Sequence, residues 1–94
     1  MIKNFLFSVL ISSSLLIAEV IIDVRTPEEF QSARLNKAIN IEWQNILSIQ
    51  NNINKTEKIY LYCRSGNRSQ RATEILVNAG FVNVENLGSL QQAS

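Results

Sequence analysis

The sequence predicts an α/β fold: a parallel β-sheet flanked by helices, in one minimal domain. Three observations predict it. Short runs of β-type residues alternate with helical patterns along the chain, the order that builds a parallel sheet. The run "VIIDV" (Val20–Val24) is almost continuously apolar, as in a strand buried on both faces. At 94 residues the chain has room for one domain at most.

The elements follow in order. After "VIIDV" comes "TPEEF". Thr26 suits a helix N-cap, Pro27 the first helical position, and Glu29 stands three residues on, as a capping box requires. "AINI" (Ala38–Ile41) reads as a second short strand. "EWQNILSIQNNI" carries apolar residues at 43, 46, 47 and 53, a weak helical pattern that ends in the turn-prone pair Asn51-Asn52. "KIYLY" (Lys58–Tyr62) is a third strand, aromatic and β-branched. From Arg68 the pattern is helical, with Ala72, Ile75, Leu76 and Ala79 on one face and Gly80 as the stop. "FVNVENL" supplies a fourth strand. There are no internal repeats and no low-complexity segments.

The N-terminus has the layout of a secretory signal. Lys3 is followed by an apolar stretch from Phe5 to Ala18, broken only by serines and ending on a small residue. The expected signal peptide is residues 1–18, leaving residues 19–94 as the domain, although Leu16 suits the cut poorly and a site nearer Ser14 competes. An uncleaved anchor is the other reading, but the apolar run falls short of the ~20 residues a spanning helix needs. Cutting after Ala18 removes Lys3, so the nine basic residues become eight against eight acidic ones. A chain near neutrality has no basic stripe for nucleic acid and no acidic tail.

The chain has one cysteine and no histidine. That cysteine lies in "YCRSGNRSQRA" (Tyr62–Ala72), directly after the third strand and ahead of a helix. In open α/β sheets ligands bind beyond the carboxyl ends of the strands, so Cys63 is placed where an active site is expected, at a solvent-facing strand end. Arg64, Ser65, Gly66, Asn67, Arg68 and Ser69 then form a loop whose backbone N–H groups can turn inward as an anion nest, joined by the helix N-terminus. Gly66 permits a backbone that a Cβ resists. A thiol among these donors, with Arg64 and Arg68 adding positive charge, acquires a depressed pKa and reacts as the thiolate. A small buried hydrophobe is the competing reading of Cys63, and its polar, glycine-containing flank argues against it. Arg71 reads as surface or rim, and Tyr60 and Tyr62 as sheet core and edge.

The composition excludes several chemistries. Without histidine there is no Ser-His or Cys-His pair and no histidine-based zinc site. One cysteine makes neither a zinc cluster nor a redox pair. No metal and no cofactor is expected. A nucleophile working without a histidine base needs a leaving group that departs without strong acid help.

"IIDVRTPEEF", "AINI", "YLYCRSGNRSQRA" and "GFVNVENLGS" resemble the rhodanese-type sulfurtransferases, most of all the small single-domain periplasmic kind of the phage-shock type. The resemblance runs from about Val20 to Ser89. It implies a rhodanese-like sheet and a periplasmic thiosulfate sulfurtransferase. Cys63 is then the catalytic nucleophile, taking a sulfane sulfur from thiosulfate as a persulfide and passing it to a thiophilic acceptor, cyanide or a thiol. The loop Arg64–Ser69 holds the charged sulfur, Arg68 matches the family's loop-closing arginine, and Asp23 and Arg25 match a structural pair at a strand end, Asp23 bracing the active loop or an adjacent turn. The implied partners are small molecules, with no nucleic acid, no stable membrane association after cleavage, and a monomeric state.

The chain departs from the family pattern in places. "SARLNKAIN" lacks the usual glycine-histidine and proline-glycine pairs, so the crossover turn has to be built differently. The usual strand and helix ahead of "IIDVR" are absent. The late double glycine reads Gly88-Ser89, and the chain is short at its C-terminal helix. Two other functions compete. A cysteine phosphatase needs five residues between cysteine and arginine, and four stand between Cys63 and Arg68. A persulfide carrier or binding module of the same fold needs the same cysteine and differs only in turnover.

Overall fold

The computed structural model describes residues 19–94. The stretch read as a signal peptide, residues 1–18, lies outside them. Four strands, β1 (Glu19–Asp23), β2 (Ile39–Asn40), β3 (Lys58–Cys63) and β4 (Val84–Ser89), form one sheet in the order β2-β1-β3-β4. Every neighbouring pair is parallel. The helices are α1 (Pro27–Ser32), a 3₁₀ helix (Trp43–Asn51), α2 (Asn67–Asn78) and α3 (Leu90–Ala93). From β1 the chain moves outward to β2, and from β3 it moves the opposite way to β4. The reversal opens a crevice beyond the carboxyl ends of β1 and β3.

The core lies on one face of the sheet. Ile22, Val24, Ile59, Leu61 and Cys63 pack against Ile46 and Ile49 of the 3₁₀ helix, Ala72 and Leu76 of α2, and Phe81. Ile75 and Ala79 pack at its margin, so the helical stripe predicted for α2 is the buried one. Truncating Leu76, which is fully buried, removes one of these contacts at a cost of about 2–5 kcal/mol.

Helix α1 starts as its sequence requires. Thr26 Oγ1 accepts from Glu29 N at 3.2 Å, and Glu29 Oε1 accepts from Thr26 N at 3.0 Å, which closes the capping box with Pro27 in the first turn. The crossover from α1 to β2 lacks glycine, and Lys37 takes the left-handed conformation there, at φ +69°. Side chains from the turn after β1 and from β3 tie this crossover down. Arg25 Nη2 donates to Ala33 O at 2.5 Å, and the Tyr62 hydroxyl accepts from Leu35 N at 3.1 Å. Asn40 Nδ2 donates to the carbonyls of Asp23 and Arg25, stitching β2 to the turn after β1.

Two elements differ from the sequence reading, and the short C-terminal helix agrees with it. The segment after β2 winds as a 3₁₀ helix, in keeping with asparagine and serine side chains that compete with the backbone. Strand β4 starts at Val84, three residues later than "FVNVENL" suggested, because Phe81 belongs to the end of α2. Gly80 N donates to Val77 O and Phe81 N to Leu76 O, each at 3.0 Å, the paired bonds of a Schellman motif, and Phe81 is buried with Leu76. The C-terminal helix is present as a single turn, capped by Ser89 and Gln92.

Candidate active site

Cys63 closes β3 and Gly66 opens α2, so only Arg64 and Ser65 separate the strand from the cap of the helix. Gly66 adopts φ +99°, a left-handed conformation that reverses the chain over the cysteine. A Cβ on Gly66 would lie 3.4 Å from Gly88 Cα, so the loop also sits close on β4.

The reversal aims donors at the sulfur. Cys63 Sγ accepts from Gly66 N at 3.0 Å, from Ser69 N at 3.4 Å and from Ser69 Oγ at 3.3 Å. Burial pushes the thiol pKa up, but the Ser69 hydroxyl and the N–H groups of Ser69, Ser65 and Gly66 together outweigh it, and the pKa falls below that of an ordinary thiol. The thiol is not solvent-facing as the sequence reading had it. Cys63 is fully buried, because the short loop folds back over the strand end and seals it.

The other residues of the loop divide by role. Arg64, Ser65 and Asn67 are exposed, Gly66 and Arg68 are half-buried, and Ser69 is fully buried. Arg68 was expected to lend the loop its charge. Its guanidinium instead meets the Glu29 carboxylate with two bonds, Nη1 to Oε1 at 2.8 Å and Nη2 to Oε2 at 3.0 Å. Arg68 holds the Glu29 carboxyl down to about 2; burial opposes this, and the backbone and hydroxyl of Thr26 assist. The capping glutamate of α1 is thus also the anchor of the loop, a role the sequence reading missed. Arg64 makes no ion pair among the described residues.

Asp23 and Arg25 form a buried pair at the end of β1. Arg25 Nε and Nη2 donate to the carboxylate at 2.9 and 2.6 Å, and Arg25 N donates to it at 2.9 Å. The guanidinium lies 5.6 Å from the centroid of the Tyr62 ring. The pair braces the turn after β1 and, through Ala33, the α1–β2 crossover. Arg71 is exposed and stacks over Trp43, 5.5 Å from its centroid, and Tyr60 is half-buried.

Asn86 of β4 was also missed. A register shift between Leu61 and Tyr62 leaves Leu87 as an extra residue on β4, beside Asn86. Asn86 Nδ2 donates to Gly66 O at 3.3 Å, and its Oδ1 accepts from Ser69 Oγ at 2.7 Å and from Gly88 N at 2.9 Å. "FVNVENL" read as a plain strand carries no signal of this.

A cavity of about 290 Å³ is lined by Arg25, Arg64, Leu90 and Gln91. These residues stand just past β1, β3 and β4, at the carboxyl edge of the sheet. The cavity is built from residues that flank the strand ends, and Arg64 next to the donor-ringed cysteine gives it positive charge; Cys63 itself is fully buried and is not part of its lining. Among the described residues no group of histidine, cysteine, aspartate and glutamate is placed to hold a metal.

Known proteins are similar to this chain in sequence and fold. Residues 11–92 match the Rhodanese-like domain family, a span that takes in residues 11–18 of the stretch read as a leader. The thiosulfate sulfurtransferase PspE of Escherichia coli is 38% identical over 76 residues, covering 79% of this chain and 73% of that protein. The adenylyltransferase and sulfurtransferase UBA4 of Meyerozyma guilliermondii is also 38% identical over 76 residues, which span 72% of this chain but only 18% of UBA4. A solved structure of a rhodanese with anions from E. coli superposes with a TM-score of 0.74 at 36% identity, covering 80% of this chain and 91% of that one. With the parallel sheet, the cysteine at its central strand end and these relatives together, the chain belongs to the rhodanese-like family.

Proposed function

We propose that the protein is a thiosulfate sulfurtransferase working through a Cys63 persulfide. The observation that carries this reading is the convergence of Gly66 N, Ser69 N and Ser69 Oγ on Cys63 Sγ, which favours the thiolate at a buried site. The thiolate attacks the outer sulfur of thiosulfate. A sulfur–sulfur bond forms to Cys63, the bond to the sulfonate group breaks, and its electron pair leaves with sulfite. Sulfite departs readily, in keeping with a chain that has no histidine to act as general acid. The charged terminal sulfur then rests against donors of the Arg64–Ser69 loop, the electrostatic role of an oxyanion hole. A thiophile, cyanide or a thiol, attacks that sulfur and returns the Cys63 thiolate, a ping-pong cycle.

Arg64 draws the anionic donor to the cavity. Arg68, locked to Glu29, holds the loop shut, and Asp23 with Arg25 keeps the floor of the cavity in place. Residues 1–18 export the protein to the periplasm, where it acts as a soluble monomer on small molecules, without metal or cofactor. No helix among the described residues is long and apolar enough to cross a membrane. A reporter fused to residues 1–18 tests the export; retention of the intact fusion in the membrane fraction would favour an anchor.

A stoichiometric sulfur carrier is the second reading, and the full burial of Cys63 favours it, since a shielded persulfide is long-lived. Sulfite release from thiosulfate with cyanide present separates the two. An enzyme releases sulfite continuously; a carrier releases one equivalent and stops.

A further inference from the structure

The hydroxyl of Ser69 has one hydrogen and three acceptors within reach. Asn86 Oδ1 is at 2.7 Å, Gly66 O at 3.1 Å and Cys63 Sγ at 3.3 Å. The orientation of the Asn86 amide is settled by its other partners. Gly88 N donates to Oδ1 at 2.9 Å, while Nδ2 donates to Gly66 O at 3.3 Å and to Gln70 Oε1 at 3.2 Å. The atom facing Ser69 is therefore an acceptor and cannot be a donor. It is also the nearest of the three to Ser69 Oγ.

We infer that Asn86 is a positioning residue that competes with the sulfur for the Ser69 hydrogen, and so sets how basic and how nucleophilic Cys63 is. With a neutral thiol, the Ser69 hydrogen rests on Asn86 Oδ1, and the Cys63 S–H is free to donate to Ser69 Oγ. As negative charge gathers on sulfur, in the thiolate or at the end of a persulfide, the hydrogen swings to it, because a bond to a charged acceptor is the stronger one. Leaving Asn86 costs part of that gain. Asn86 thus holds the sulfur more basic than Gly66 N, Ser69 N and the hydroxyl alone would leave it. A more basic sulfur is the better nucleophile, whereas a fully stabilised thiolate attacks slowly.

The consequence for turnover rests on the sulfurtransferase reading; the competition itself does not. Its test is the pH profile of Cys63 alkylation by iodoacetamide, which needs no sulfur donor and reports on the only thiol in the chain. Four proteins form a cycle: the unsubstituted chain, Asn86→Ala, Ser69→Ala and the double variant. Arg64, Arg68 with Glu29, and Asp23 with Arg25, together with Arg71 and Glu74 of α2, Lys58 of β3 and Glu85 of β4, are charged groups on the elements around Cys63, and they are common to all four.

Removing the nearest competitor leaves only the neutral Gly66 carbonyl at 3.1 Å to contend with the sulfur, and a charged sulfur takes the hydrogen from it more easily. Asn86→Ala should lower the alkylation midpoint by about one pH unit when Ser69 is present, and by nothing when it is absent. Asn86→Asp, which preserves size, should do the opposite. Its carboxylate draws the hydrogen harder, so the midpoint should rise more with Ser69 present than without it. A residue that merely props the loop predicts otherwise: loosening the donors raises the midpoint in Asn86→Ala, and by a similar amount in both backgrounds. A rise on Asn86→Ala, or equal shifts with and without Ser69 for either substitution, would overturn the proposal. If the cycle behaves as expected but sulfite is never released, the competition stands and the sulfurtransferase reading falls.

Discussion

Three donors meet the Cys63 sulfur and hold its pKa below that of an ordinary thiol, which is what the proposed chemistry asks of a chain without histidine. Alkylation follows the thiolate, so its rate should persist to a pH below the ordinary thiol midpoint of roughly 8.5. Ser69→Ala removes a donor and should move that midpoint up; an unchanged midpoint would mean that backbone N–H groups alone set it. Arg64 offers a different test. It lines the cavity, is exposed, and has no ion-pair partner among the described residues. Arg64→Ala should raise KM for thiosulfate about tenfold with kcat little changed, the loss of one charge-assisted contact made alike in ground and transition states. A fall in kcat at constant KM would place Arg64 on the transition state instead. The sequence located the cysteine and its loop because strand, glycine and helix start are local signals. It did not show the burial of Cys63, which depends on how tightly the loop folds back, nor Asn86, which reaches the site from a strand 17 residues beyond Ser69.

At the level of elements, α1 and α2 are coupled through Glu29 and Arg68. "TPEEF" marked Glu29 as a capping residue, and no local pattern could reveal a partner 39 residues away. Glu29→Gln separates the two roles, since glutamine still serves a capping box but loses the charge. The Glu29 carboxyl titrates at about 2, below its ordinary 4.5. Its stabilisation is therefore complete above pH 4.5 and is lost as pH falls toward 2. The side chains of the pair are 32% and 23% exposed, so solvent screening reduces the effect, and Glu29→Gln should cost about 1–2 kcal/mol at neutral pH. Denaturant melts at several pH values should show that cost shrinking through this window; a cost that stays constant would assign it to the cap. The α1–β2 crossover carries strain of another kind. Lys37 sits at φ +69°, where a Cβ is disfavoured by roughly 1–2 kcal/mol. Glycine relieves this but loses more entropy on folding, so Lys37→Gly should stabilise by up to about 1 kcal/mol. A destabilised variant would show that the lysine side chain makes up for its own backbone. The missing glycine, histidine and proline were plain in "SARLNKAIN", and the two tethers that hold the turn in their place, from Arg25 and Tyr62, come from other elements and were not.

For the molecule as a whole, the strand order β2-β1-β3-β4 accounts for where the candidate site sits. The chain reverses direction between β1 and β3, and Arg25, Cys63 and Arg64 all fall at the edge the reversal opens. The parallel α/β arrangement was legible because alternation along a sequence reports layers directly. The 3₁₀ helix and the late start of β4 were not, because each is decided by packing: Phe81 is drawn under Leu76 by the end of α2 before β4 begins. In the proposed function, one buried thiol carries sulfur through repeated turnover. Sulfite release from thiosulfate, followed in the presence of cyanide and paired with the intact mass of the protein when cyanide is withheld, tests this most directly. A sulfurtransferase should release many equivalents of sulfite per chain and gain one sulfur atom without cyanide, and Cys63→Ser should do neither. Sulfite release that survives in Cys63→Ser, or a protein that never gains sulfur, would contradict it.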